Sequence, residues 1–143
     1  MDIIRRNTDY AIRAMLNLGQ NHRREPVSTN KLAVKEDISY QLACKLMQRL
    51  QKAGFIRSTM GPAGGFMLEK DSSKIRLLDV IVAIQGPLTV NRCLEDDKAC
   101  ERSPTCPVHI KLSELQEYLE DFLAGVSLAE LVEIGRRKKL RKL

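Results

Sequence analysis

Apolar residues recur at helical spacing from the start of the chain. Ala11, Ala14, Met15 and Leu18 fall three and four apart and predict an amphipathic helix running to about Asn21. Asn7 or Thr8 can cap it, with Asp9 near its positive end. Pro26 forbids continuation, and Ser28 or Thr29 opens a short second helix through Leu32 and Ala33 to about Glu36. Ser39 caps a third, to about Ala53. In it Leu42, Leu46 and Leu50 form one face with Ala43 and Met47, while Gln41, Lys45, Gln48 and Lys52 form the opposite stripe. Gly54 ends that helix. Phe55 to Thr59 and Phe66 to Lys70 then read as two strands, with GPAGG at Gly61 to Gly65 as the hairpin turn between them.

A helix from Leu77 to Gln85 follows, bounded by Gly86 and Pro87, and then a polar segment from Asn91 to Thr105. From Val108 to Val126 the positions Val108, Leu112, Leu115, Leu119, Phe122 and Val126 are spaced four, three, four, three, four, which is an a/d seam of the kind that pairs helices. Ser127 caps a final helix, Leu128 to about Ile134, leading into a basic end with Arg136, Arg137, Lys138, Lys139, Arg141 and Lys142. The expected fold is mainly α with a small β-hairpin wing: a winged helix-turn-helix followed by a long C-terminal dimerisation helix. Its expected divisions are a DNA-binding domain over 1–86, a cysteine-bearing loop over 87–106, dimerisation and terminal helices over 107–135, and a solvated basic tail over 136–143.

The length of 143 residues suits one compact domain with a short extension. Only 4% of residues are aromatic and none is Trp, so aliphatic side chains and Met must fill the core. The apolar run Leu77 to Ala83 is broken by Asp79 and is far too short to span a bilayer. The N-terminus carries no continuous hydrophobic segment followed by a cleavage site, so a soluble, cytoplasmic protein is expected. The formal net charge is +6.

A capped third helix, preceded by a short helix and followed at once by a Gly-rich hairpin, is what a reader of double-stranded DNA needs. Ser39, Tyr40, Gln41, Lys45, Gln48 and Lys52 can meet the major groove, and the wing residues Arg57, Ser58, Thr59, Gly61, Pro62, Gly64 and Gly65 the flanking backbone. Taken alone, the stripe is also what any solvated helix face presents. Cys93, Cys100, Cys106 and His109 place three thiols and an imidazole within seventeen positions. Such a set suits zinc, an iron–sulfur cluster with its wider reach, or a thiol switch in which two Cys form a disulfide. Cys44 reads as a structural thiol on the third helix and His22 as a solvated loop residue. No nucleophile with a base and no phosphate-cradling loop is visible, which disfavours an enzyme.

The chain resembles, over nearly its whole length, the IscR and NsrR type of winged-helix transcription regulators, bacterial sensors that bind an iron–sulfur cluster. The carriers are TDYAIRAM near the start, LMQRLQKAGFIRSTMGPAGGF through the third helix and wing, the three-Cys loop, and SLAEL after the long helix. The resemblance implies a homodimer on a palindromic operator, with the long helix crossing its counterpart. It also implies a cluster, 2Fe-2S or 4Fe-4S, held by Cys93, Cys100 and Cys106 near the wing of a partner subunit. IscR-like members have a His with two residues between it and the third Cys, here His109. NsrR-like members use an Asp in the first helix, here Asp9. Both are present. The expected function is a DNA-binding regulator whose operator affinity follows cluster occupancy or redox state. The alternatives are a zinc or thiol-redox regulator, and a metal-trafficking or redox protein that reads no DNA.

Overall fold

The computed structural model describes residues 2–21 and 25–141, so His22 and Lys142 lie outside the described residues. Among these, six α-helices and one hairpin follow in the order α1 (Arg6–Gln20), α2 (Thr29–Glu36), α3 (Tyr40–Lys52), β1 (Ile56–Thr59), β2 (Gly65–Leu68), α4 (Leu77–Gln85), α5 (Pro107–Gly125) and α6 (Leu128–Arg141). Ser28 and Ser39 cap α2 and α3, their hydroxyls accepting from Lys31 N at 3.2 Å and Leu42 N at 3.1 Å. Asp37, left-handed at φ 52°, turns the chain between these two helices. α1 starts two or three residues earlier than a cap at Asn7 or Thr8 would place it. Its N-cap is Arg5, which makes no side-chain cap bond, and Thr8 lies buried within the first turn.

The apolar faces of α1, α2 and α3 meet as their spacing predicts. Met15, Leu18, Leu32, Met47 and Leu50 are all essentially sealed from solvent. Burial of such side chains contributes about 1.5–3 kcal/mol each. Phe55, Ile56 and Leu68 carry the same core into the root of the hairpin, and Ile75, Val80, Ile84 and Leu128 close it. β1 and β2 are antiparallel, in the register Ile56 to Leu68 through Thr59 to Gly65. Both are shorter than the expected strands.

Two features depart from the expected divisions. α6 runs to Arg141 instead of stopping near Ile134, so the basic segment is helical as far as it is described, with Arg136, Arg137, Lys138, Lys139 and Arg141 still exposed to solvent. Lys and Arg form helix well, their charges suit a C-terminal end, and Arg137 pairs with Glu133 at 3.2 Å. α6 also belongs to the winged core. Leu128 N donates to Ile75 O at 2.8 Å, and Leu77 N to Val126 O at 2.9 Å. A Cβ at Gly19 of α1 would stand 2.9 Å from Val132 Cγ2, so glycine is what lets α6 settle on α1.

Candidate nucleic-acid interface and cysteine loop

Burial of Ala43, Leu46, Met47 and Leu50 against α1 and α2 leaves Gln41, Lys45, Gln48 and Lys52 exposed on the opposite face of α3. Tyr40 and Ser39 at its start are exposed too. The Cys44 thiol, one turn on, acts on the Tyr40 phenol first by side-chain hydrogen bonding and then by charge, and with a smaller desolvation effect holds it above its usual value of 10.0. Tyr40 is therefore a neutral hydroxyl at physiological pH. α3 is anchored on both flanks. On one, Gln51 Nε2 donates to Ser58 Oγ of β1 at 3.3 Å; on the other, Arg49 Nη1 donates to Ile84 O at the end of α4 at 2.9 Å.

The wing separates residues that hold its shape from residues that extend beyond it. Thr59 Oγ1 accepts from Gly65 N at 3.2 Å, and Gly64 N donates to Gly61 O at 2.9 Å, closing the turn. Of the glycines at 61, 64 and 65, only Gly61 has positive φ, at 100°. The other two are required for space. A Cβ at Gly64 would lie 2.3 Å from Thr59 O, and one at Gly65 would lie 2.5 Å from the carbonyl of Val27, which forms a bridge with Phe66. Arg57 is exposed and 3.6 Å from Glu69, a pair that solvent weakens. Met60, 96% exposed at the tip, was not among the residues expected from sequence. Its position between Thr59 and Gly61 in the turn was the available signal. Apolar side chains so placed can wedge into a minor groove.

From α4 the chain turns at Gly86 (φ 84°) into the cysteine segment. Gln116 of α5 holds its start: its Oε1 accepts from Val90 N at 2.8 Å, and its Nε2 donates to Leu88 O and to Glu120 Oε1, both at 2.6 Å. The segment contains two 3₁₀ turns, Arg92–Leu94 with Cys93, and Ser103–Thr105 just before Cys106. Cys106 is the N-cap of α5 with Pro107 at its first position, so His109 lies about one turn beyond Cys106, as expected. All four cysteines are free and half-buried. Asn91 Nδ2 donates to Cys93 Sγ at 3.4 Å. Nδ1 of His109 is buried without a partner, as is Oγ of Ser103.

Among the described residues, no three His, Cys, Asp or Glu side chains stand close enough to hold a metal ion within one chain. Cys93, Cys100, Cys106 and His109 are not assembled into such a group. Asp9 is exposed on α1 and paired with Arg13 at 3.5 Å, and Arg13 also reaches Glu36 at 3.4 Å. The donor chemistry nonetheless fits a soft metal group. Three free thiols and an imidazole with an unpaired buried nitrogen are donor types that soft metals accept.

The expected seam on α5 divides in two. Leu119 packs with Leu123 against Ile81 and Leu88 of its own subunit, Leu123 being the helix's one fully buried residue among those described. Leu112 and Val126 are half-buried. Val108, Leu115 and Phe122, seven apart, stay exposed together with Tyr118. No described helix is long and apolar enough to cross a membrane.

Residues 4–134 match the family model of Rrf2, described as an iron-dependent transcriptional regulator. The HTH-type transcriptional regulator IscR of Klebsiella pneumoniae (strain 342) is 34% identical over 123 residues, covering 86% of this chain and 75% of the relative. Among solved structures, CymR, the global cysteine regulator of B. subtilis, superposes with a TM-score of 0.77 at 23% identity, covering 94% of this chain and 98% of that one. The T. potens IscR does so at 0.75 and 22%, covering 92% and 87%. At these identities the two structures establish the fold, which is the winged helix of the sequence expectation.

Proposed function

We propose that this chain, which belongs to the Rrf2 family of transcriptional regulators, binds a palindromic operator as a homodimer and that an iron–sulfur cluster sets its affinity. It is a DNA-binding regulator and not an enzyme. The observation that carries the finer reading is the cysteine loop: three half-buried free thiols and an unpaired buried imidazole nitrogen, tied through Gln116 to α5. Cys93, Cys100 and Cys106 would hold the cluster. When bound, such a group supplies charge and bonding that respond to oxidants, nitric oxide or iron supply. His109 is the better fourth ligand, because its Nδ1 has no competing partner while Asp9 is already paired with Arg13.

The exposed stripe Val108, Leu115, Tyr118 and Phe122 supports the dimer, since a second copy across a two-fold axis would cover it. Two subunits would then present two α3 helices to successive major grooves. Gln41, Lys45 and Gln48 offer donors and acceptors to base edges.

The test is anaerobic purification with absorption spectrum, iron and sulfide content, and duplex binding before and after removal of iron. A visible cluster spectrum lost in Cys106→Ala is expected. Loss in Asp9→Ala with retention in His109→Ala would reverse the fourth-ligand assignment. A second reading, a thiol switch without a cluster, is favoured by the thiols not being gathered around one point within a chain. It requires a colourless anaerobic protein whose DNA binding changes on oxidation and recovers with reductant.

A further inference from the structure

We propose that the cavity between the N-terminus of α1, Arg49 of α3 and the end of α4 is a phosphate site, taking a backbone phosphodiester of the duplex that α3 reads. The inference rests on the DNA-binding reading and deepens it. The cavity has a volume of about 310 Å³; Arg5, Arg6 and Arg49 line it, with no acidic residue among its walls. α1 begins there without a capping side chain, and the backbone N–H groups of Arg6, Asn7 and Thr8 have no partner among the described residues. Unbonded N–H groups at a helix start, with the positive end of the dipole, favour an anion. Independently, Thr8 lines the same cavity, is fully buried, and its Oγ1 has no hydrogen-bond partner. A buried hydroxyl left unpaired in a cationic cavity marks a missing acceptor or donor.

Position names the source of the phosphate. At about 100° per residue, the centre of the exposed stripe on α3 lies roughly midway between Gln51 and Arg49. Gln51 leans to the wing through Ser58, and Arg49 leans to this cavity through Ile84 O. The reading helix is thus flanked by the wing on one side and by the arginines on the other. A helix lying in a major groove about 12 Å wide has one phosphate backbone on each side. Arg49 keeps its remaining guanidinium donors for the ligand while one bonds Ile84 O. Gln85 fixes the approach of Arg5, its Oε1 accepting from Arg5 N and its Nε2 donating to Ile3 O, both at 2.9 Å.

The test uses the full chain and Arg5→Gln, an exposed side chain whose backbone bond to Gln85 survives the change. Anisotropy titrations against a mixed-sequence duplex at several salt concentrations read the slope of log affinity against log salt. Loss of one phosphate contact lowers that slope by about one. Between about 50 and 200 mM salt, Arg5→Gln protein should therefore lose roughly 3- to 4-fold less affinity than the unaltered chain. A scan with single methylphosphonates should find a position beside the groove where neutralising the phosphate weakens the unaltered chain and not Arg5→Gln. A lowered slope in Lys45→Gln with an unchanged one in Arg5→Gln would overturn the site and leave the reading of α3 standing. Absence of salt-dependent duplex binding would overturn both. Inorganic phosphate is titrated at fixed ionic strength while thermal unfolding is followed. If it stabilises the unaltered chain and not Arg5→Gln, and the salt slopes are equal, the site takes a small phosphate and the DNA assignment is wrong.

Discussion

Replacing Phe122 by Ala should make the proposed dimer dissociate on dilution, without unfolding either subunit. Phe122 is 61% exposed in the single chain, Leu115 49% and Val108 63%. Complete burial of such a side chain is worth about 1.5–3 kcal/mol, so covering the exposed part of Phe122 returns roughly 1–2 kcal/mol per subunit. A two-fold interface counts each substitution twice. The loss is therefore about 2–4 kcal/mol of association energy, or roughly a 30- to 1,000-fold weaker dimer. Leu119 supplies the contrast, because it packs against Ile81, Leu88 and Leu123 within its own chain. Leu119→Ala should cost about 2–3 kcal/mol of subunit stability instead. Sedimentation equilibrium over a range of concentrations reads the first effect and thermal unfolding of dilute protein reads the second. If Phe122→Ala left the dimer constant untouched while Leu119→Ala weakened it, the stripe would not be the interface.

Gln116→Met strands Val90 N–H and Leu88 C=O in a half-buried place, and at about 1 kcal/mol or more each it should lower the melting temperature by roughly 5–10 °C. It should also speed hydrogen exchange at Val90; unchanged exchange would show that the amide does not hold the loop. Gly65→Ala drives a Cβ into the Val27 carbonyl at 2.5 Å and must break the bridge whose two bonds are 3.0 and 2.8 Å. A loss of about 2–3 kcal/mol is expected, with weaker DNA binding from a loosened wing, and an unshifted thermal transition would refute the steric argument. Thr8→Val replaces an unpartnered buried hydroxyl by a methyl of the same shape, so stability should hold or rise by up to about 1 kcal/mol while duplex affinity falls. A marked drop in melting temperature would mean that the hydroxyl has a structural partner.

The elements legible in the sequence are those whose signals are local. α3 carries its cap at Ser39 and its apolar face at Leu42, Leu46 and Leu50 within one stretch, and α4 ends where Gly86 must end it. The wing announced itself through GPAGG, although the reason for Gly64 and Gly65 is space against Thr59 and Val27, and that depends on a strand pairing from before α2. The rest depended on distant neighbours. A repeat of four and three marks two apolar sides of α5 without saying which one its own subunit claims; Leu88 and Ile81, far earlier in the chain, claim Leu119 and Leu123. Nothing local in the sequence singles out Arg49, which is fixed by Ile84 O, 35 residues away. The basic run after Ile134 has the composition of solvent-facing chain, yet the same residues are good helix formers once Leu128 and Val132 anchor the helix beside Gly19 of α1.

The proposed control of DNA binding from the cysteine loop needs a physical route, and continuous contacts supply one. Gln116 ties the segment before Cys93 to α5. Leu88 of that segment packs with Ile81 of α4 and Leu123 of α5. The end of α4 then meets both parts of the proposed duplex face: Ile84 O accepts from Arg49 of α3, and Gln85 holds the N-terminal arm at Arg5 and Ile3. A group bound by the thiols changes affinity only if it favours one arrangement of this chain of contacts over another. A tenfold change in operator affinity requires about 1.4 kcal/mol. One hydrogen bond to a half-buried backbone group, made in one state and broken in the other, is worth about that much. Gln116 alone makes two such bonds, so a displacement of the loop large enough to lose either is energetically sufficient to switch the proposed reading helix α3.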